Sequence, residues 1–245
     1  MSKVGSMINH SSKKKLGVIG GLGPAASSFY YKGIIEHTLA DCDQDHIDMV
    51  ILSHATMPDR TKAIETGDDK QLIELLQEDI KTLESLGVEN IAIPCNTSHY
   101  YFEQMQSVTN IPIIHMIRES VRYAVSHYGD VKKIGIMGTD GTIDSGIYDI
   151  ECKRAGVIPV HPSEEKQKEV MHIIYDEIKS GKPGTEAIFD DVMDEFCKLD
   201  CDVVILACTE LSVYKQLHRV PDFCLDAMDV LIRESIVRSN GSYIS

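Results

Sequence analysis

Cys95 and Cys208 are the residues of this sequence whose setting most directly suggests chemistry. Each ends an apolar run and is followed at once by residues that cap helices, Asn96 and Thr97 in one case and Thr209 in the other. A thiol so placed is expected near a helix N-terminus, where unpaired amide N–H groups and the helix dipole favour thiolate and lower its pKa. One strand-end cysteine alone is more often an inert buried residue, but two in matching positions shift the balance towards function. His99, in the first turn after Cys95, is placed either to tune that thiol or to hydrogen-bond locally.

Charged and glycine-rich segments add to this pair. Arg60 follows Pro58-Asp59, so if Asp59 caps a short helix towards Glu65, Arg60 is a cation in its first turn, where the dipole disfavours one. Recognition of a ligand carboxylate by the guanidinium fork would account for it, and a surface pairing with Asp59 or Glu65 is the alternative. Lys179 falls in the last turn of a helix ending before Gly181, where a cation is favoured anyway. Gly21-Leu22-Gly23-Pro24-Ala25-Ala26 follows a strand and fits the letters of a dinucleotide fingerprint. The acidic residue such a motif needs at the end of its second strand is misplaced, because Asp41, Asp43 and Asp45 all precede that strand. A loop for close anion approach and a purely structural turn both remain open.

Positioning these residues requires alternating strands and helices. Strands are expected over Leu16 to Ile19, Ile47 to Ser53, Val88 to Pro94, Lys133 to Met137, Gly156 to Val160 and Asp202 to Leu206. Leu72, Leu75, Leu76, Ile80, Leu83 and Leu86 recur at helical spacing, with Asp68 as N-cap and Gly87 as the stop. Ser163 begins a second helix through Ile178 to Gly181, and Thr185 a third through Phe196. The halves also repeat loosely: Leu16 to Gly21 matches Ile134 to Thr139, and the run into Cys95 matches the run into Cys208. The expected fold class is α/β, two pseudo-symmetric lobes each with a mostly parallel sheet flanked by helices. Both cysteines then stand at carboxyl ends of strands, where open parallel sheets bind ligands.

Composition excludes several classes. With 38 acidic and 24 basic residues among 245, the formal charge is -14, which repels phosphate backbones and anionic membrane surfaces. Apolar runs are strand-length, so no membrane span is expected. Lys13 to Lys15 lead into Gly17, Gly20 and Gly21 before a signal-peptide core can form, and residues 1–14 read as a polar tail. Seven scattered cysteines do not make a secreted disulfide framework, and a reducing cytoplasm is the expected address. Metal binding is not expected: Cys197 and Cys201 fall on different elements and no C-x-x-C or H-E-x-x-H occurs.

Taken in order, Gly20-Gly21-Leu22-Gly23-Pro24, Asp45-His46, Pro58-Asp59-Arg60-Thr61, Pro94-Cys95-Asn96-Thr97-Ser98-His99, Gly138-Thr139-Asp140-Gly141-Thr142 and Cys208-Thr209-Glu210 resemble the aspartate/glutamate racemase superfamily, specifically its cofactor-independent aspartate racemases. The resemblance covers nearly the whole chain, and the paired cysteine motifs are its most specific part. It implies two facing lobes, 15–115 with 222–245 and 116–221, an amino acid in the cleft between them, no cofactor and commonly a homodimer. It implies Cys95 and Cys208 on opposite faces of the substrate Cα, one as thiolate base and the other as thiol acid. Asn96, Thr97, Thr139 and Thr209 would bind the α-carboxylate and amine, Arg60 and Lys179 the distal carboxylate, and Gly21, Leu22, Thr142 and Glu210 would complete the substrate site. Aspartate is the substrate so implied; a broad-specificity racemase, or a carbon-acid isomerase or decarboxylase, are the relatives' other activities. An NAD(P)-dependent oxidoreductase built on Gly21 to Ala26 leaves the paired cysteines unexplained, and a non-catalytic amino-acid sensor would release no Cα protons.

Overall fold

The computed structural model describes residues 13–245, so all but the last two residues of the expected polar tail lie outside the described residues. In the first half, β1 (Leu16–Gly20), β2 (Met49–Ser53) and β3 (Asn90–Ala92) form a sheet of order β2-β1-β3. Both pairings are parallel, with Leu16 opposite Met49 on one side and Asn90 on the other. Around it run α1 (Pro24–His37), α2 (Arg60–Thr66), α3 (Lys70–Ser85) and α4 (Phe102–Gln106), while α5 (Met116–His127) follows them in the chain but packs on the second half. Every residue of β1 is buried, as expected of a central parallel strand covered on both faces.

The second half repeats this plan. Its sheet of β4 (Lys133–Met137), β5 (Ile158–Val160), β6 (Val203–Leu206) and β7 (Cys224–Asp226) has the order β5-β4-β6-β7, again all parallel. Its helices are α6 (Asp140–Asp144), α7 (Ile147–Ala155), α8 (Glu164–Met171), α9 (Glu186–Lys198) and α10 (Thr209–Leu217), and α11 (Ala227–Arg238) follows β7 but packs on α1 and β3 of the first half. Thus β1 corresponds to β4, β2 to β5 and β3 to β6, and the parallel bridge of Ile91 to Ile113 stands where β6 pairs with β7.

Helices α5 and α11 join the halves. Each follows the outer edge of one sheet yet packs across the boundary, α5 on α7 and α11 on α1, and the two pack on each other. One apolar core therefore runs through both halves, with Val18 and Ile136 facing it. Separate cores lie outside each sheet, against Leu72, Leu76 and Ile80 in the first half and Phe189, Val192 and Phe196 in the second. Residues 222–226, expected with the first lobe, instead carry β7, because Cys224 to Asp226 pair in register with Val204 to Leu206.

Local differences have local causes. The N-cap of α3 is Asp69, one residue beyond Asp68. Ser163 caps α8 as expected, accepting from the Lys166 amide, but the α-helix ends at Met171. The backbone widens to a π-helical turn over His172–Glu177, tightens to a 3-10 turn over Ile178–Ser180 and stops at Gly181 with φ 81°. Such turns rotate later side chains out of the helical repeat and often mark functional sites. Among the described residues no helix is long and apolar enough to cross a membrane.

Candidate active site

The carboxyl ends of the matched strands face one tight cavity between the halves. The first half contributes Leu22, Arg60, Cys95, Asn96 and Thr97, and the second contributes Thr139, Lys179, Cys208, Thr209 and Glu210. Ten of the twelve expected site residues therefore meet in it. Gly21 and Thr142 stand behind the wall. Gly21, at φ 85°, lets the loop pass against the next strand end, where a Cβ would meet the His54 amide nitrogen at 2.5 Å. The Thr142 hydroxyl lies 2.9 Å from that of Thr97, in a buried group of threonines with Thr139 that also reaches Thr61, 3.3 Å from Thr139.

The two thiols have different surroundings. Cys208 is the N-cap residue of α10, as its sequence setting suggests, whereas Cys95 leads into a 3-10 turn over Thr97–Tyr101. The expected lowering of a thiol pKa by the helix end does not hold for Cys208. Burial pushes its pKa well up, and Glu210 adds to this by accepting the thiol hydrogen bond at 3.0 Å on Oε2, while Lys179 opposes them. A helix end contributes a fraction of a charge; burial and a full neighbouring carboxylate outweigh it.

Arg60 is the first residue of α2, with Asp59 as the N-cap accepting from the Lys62 amide. Its guanidinium turns back over the loop after β1, donating to the Leu22 carbonyl at 2.9 Å and the Pro58 carbonyl at 3.1 Å, and its buried Nε has no partner. Burial opposes its charge, but Cys95, Asp59 and Glu210 outweigh burial and raise its pKa. Lys179 lies beyond the π-helical turn with Nζ 3.6 Å from the centre of the Tyr175 ring. Burial likewise opposes its charge, and Glu210, Cys208 and Tyr175 raise its pKa overall. Two cations, two carboxylates and two thiols thus line one cavity.

Asp59, Thr61 and Tyr175 also line the cavity and were not among the expected site residues. Tyr175 donates to Asp59 Oδ2 at 3.3 Å, a contact that spans the two halves. Asp59 and Thr61 flank Arg60, and Tyr175 stands four residues before Lys179, so proximity in sequence was the available signal. Tyr148 supports the site from behind, donating to Asn96 Oδ1 at 2.6 Å. It comes from α7 in the other half, and no local pattern points to it.

His99 bonds locally. Its Nδ1 lies 2.9 Å from the Cys95 carbonyl, and its Nε2 lies 3.1 Å from the Met116 amide nitrogen and 3.3 Å from the Ile114 carbonyl. The glycine loop does not present an open phosphate cradle either. At the start of α1 the Glu210 carboxylate comes so close to Gly23 that a Cβ there would lie 2.7 Å from Oε1. A dinucleotide pyrophosphate would meet that carboxylate at the helix end it needs. Among the described residues no group of three His, Cys, Asp or Glu side chains is placed to share a metal ion.

The chain is similar to known proteins. The broad-specificity amino-acid racemase RacX of Bacillus subtilis is 29% identical over 201 residues, 80% of this chain and 86% of that protein. The Picrophilus torridus aspartate racemase structure matches with a TM-score of 0.81 at 26% identity, covering 94% of this chain and 96% of that one. An aspartate racemase homologue from Pyrococcus horikoshii shares the fold, with a TM-score of 0.75 at 24% identity over 93% of this chain and 99% of its own. The Asp/Glu/Hydantoin racemase family model matches residues 19–234, nearly the whole of both halves. The chain belongs to the Asp/Glu/Hydantoin racemase family.

Proposed function

We propose that the protein is an amino-acid racemase that prefers aspartate and works with Cys95 and Cys208 as opposing acid and base. The observation that carries this is that two thiols, each at the end of a pseudo-equivalent strand, line a single cavity between the halves. Inversion at Cα needs a proton removed on one face and delivered on the other, and two symmetry-related groups supply both faces. With Glu210 holding a proton on Cys208, Cys208 is the acid and Cys95 the base in the first direction. The reverse direction requires the proton on Cys95, with Lys179 offsetting the charge left on Cys208. The planar intermediate carries negative charge on the α-carboxylate, for which Asn96, Thr97, Thr139 and Thr209 provide preorganised polar groups.

Arg60 and Lys179 favour an acidic side chain, because a second substrate carboxylate would pair with the guanidinium whose Nε is buried without a partner. A panel of L- and D-amino acids resolved by chiral chromatography tests this, with aspartate expected to be turned over fastest. Arg60→Ala is expected to lower kcat/KM for aspartate about 10- to 150-fold, the equivalent of one charge-assisted hydrogen bond. A broad-specificity racemase is the second reading, favoured by the 29% identity to the Bacillus subtilis enzyme; neutral amino acids turned over as fast as aspartate would establish it. All seven cysteines are free, which fits a cytoplasmic address, and the homodimer implied by the resemblance is checked by light scattering.

A further inference from the structure

A second cavity, of about 210 Å3, opens at the carboxyl end of β7, one strand along from the strand that carries Cys208. Its floor is Asp226, 1% exposed, which also caps α11. Oδ1 of that carboxylate accepts from the Ser212 hydroxyl at 2.8 Å and the Met228 amide at 2.9 Å. Oδ2 has no hydrogen-bond partner. Lys215 Nζ stands 3.9 Å from it, and that ammonium is hydrogen-bonded to Asp229 instead. Leaving a buried carboxylate oxygen without a donor is costly, and burial together with Asp229 holds the Asp226 pKa above the usual carboxylate range in spite of Lys215.

The rest of the lining narrows what would supply the missing donor. Asp229 and Arg233 are four residues apart on α11 and share a face, so a carboxylate and a guanidinium border the same space. Tyr123, Tyr128 and Tyr243 form walls, and the Arg233 guanidinium already lies 5.6 Å from the centre of the Tyr123 ring. The lining thus carries two carboxylates, Asp226 and Asp229, and two cations, Lys215 and Arg233, so a ligand of either single charge meets repulsion and one carrying both charges matches it better. An organic ammonium suits carboxylates set among aromatic faces, and Arg233, whose Nη1 donates to Glu234 at 2.6 Å, keeps further guanidinium donors for a carboxylate on the same molecule. The matching place in the first half is closed: after Ile113, His115 caps α5 and packs against the Phe102 ring at 4.3 Å.

We propose that this cavity is a second binding site that takes a free α-amino acid as its zwitterion, with the ammonium on Asp226 Oδ2, the carboxylate towards Arg233 and an apolar side chain against the tyrosines. Ser212 links it to the central cavity, since it belongs to the first turns of α10, the helix that Cys208 caps.

Calorimetric titration of the full chain with L-phenylalanine tests this. Binding is expected, weakened about 10-fold or more in Arg233→Ala and Asp226→Asn, each of which removes a charged partner, and unchanged in Asn96→Ala. Because Asp226 also caps α11, Arg233→Ala and the rim variant Tyr128→Ala carry the test if Asp226→Asn does not fold. N-acetyl-L-phenylalanine and 2-phenylethylamine, each lacking one charge, are expected to bind much more weakly. No binding at millimolar concentration, binding that survives Arg233→Ala, binding lost in Asn96→Ala alone, or equal affinity for 2-phenylethylamine would overturn the proposal.

Discussion

Replacing Glu210 with glutamine removes a negative charge from the side chain that accepts the Cys208 thiol hydrogen bond at 3.0 Å, and leaves its shape almost unchanged. Glu210 raises the Cys208 pKa second only to burial, while Lys179 lowers it, so the variant leaves the cation less opposed. A hydrogen bond to a charged group is worth about 1.5 to 3 kcal/mol, and its loss corresponds to about one to two pKa units. The thiolate fraction of Cys208 then rises about 10- to 100-fold at a pH below its pKa. A less basic thiolate is also less nucleophilic, with a Brønsted slope of about 0.4 to 0.5, so net alkylation is expected to accelerate about 3- to 10-fold. The assay is iodoacetamide labelling followed by peptide mass spectrometry, with Cys95 in the same molecule as the reference. Unchanged or slower labelling of Cys208 in Glu210→Gln would show that the carboxylate does not hold the proton on that thiol.

Tyr148→Phe removes the hydroxyl that donates to Asn96 at 2.6 Å, and a loss of about 1 to 3 kcal/mol in urea denaturation is expected for a buried partner left unpaired, with a drop in kcat/KM as Asn96 loosens. In Gly141→Ala the new Cβ would lie 2.7 Å from the Thr61 Cα, so the halves must shift; about 1 to 3 kcal/mol of stability should be lost along with activity, because Thr61 adjoins Arg60. His115 is pushed down to about 3 from 6.5 by burial, then by His99 and Arg118, so it is neutral in the folded chain. Its contribution is full above about pH 6.5 and is lost as the pH falls towards 3, amounting to up to about 2 kcal/mol between pH 7 and 5. His115→Asn keeps a cap for the Arg118 amide and should flatten that part of the stability profile, measured by denaturant titration at each pH.

The strands were legible because their apolar runs are buried on both faces, as Leu16 to Gly20 and Val203 to Leu206 show. Cys224 to Asp226 escaped because three residues after a turn make too short a signal, although their pairing closes the second sheet. The π-helical turn over His172–Glu177 also left no trace, since Ile173, Ile174 and Ile178 keep a spacing that suits a regular helix. At the site, strand-end position located Cys95 and Cys208 and motif letters located Arg60, Asn96 and Thr97. The state of Cys208 could not be read from its helix end, because the distant walls that bury it and the carboxylate two residues on decide it. Tyr148 reaches Asn96 from 52 residues away, a contact made only once the two halves pack together.

Racemisation of L-aspartate in deuterated water, followed at early conversion by chiral separation and mass spectrometry, tests the two-thiol mechanism most directly. If Cys95 and Cys208 serve opposite faces of Cα as proposed, D-aspartate is expected to carry deuterium at Cα while recovered L-aspartate stays largely protiated. Deuterium appearing equally early in both enantiomers would point to a single base and contradict the assignment of the two cysteines.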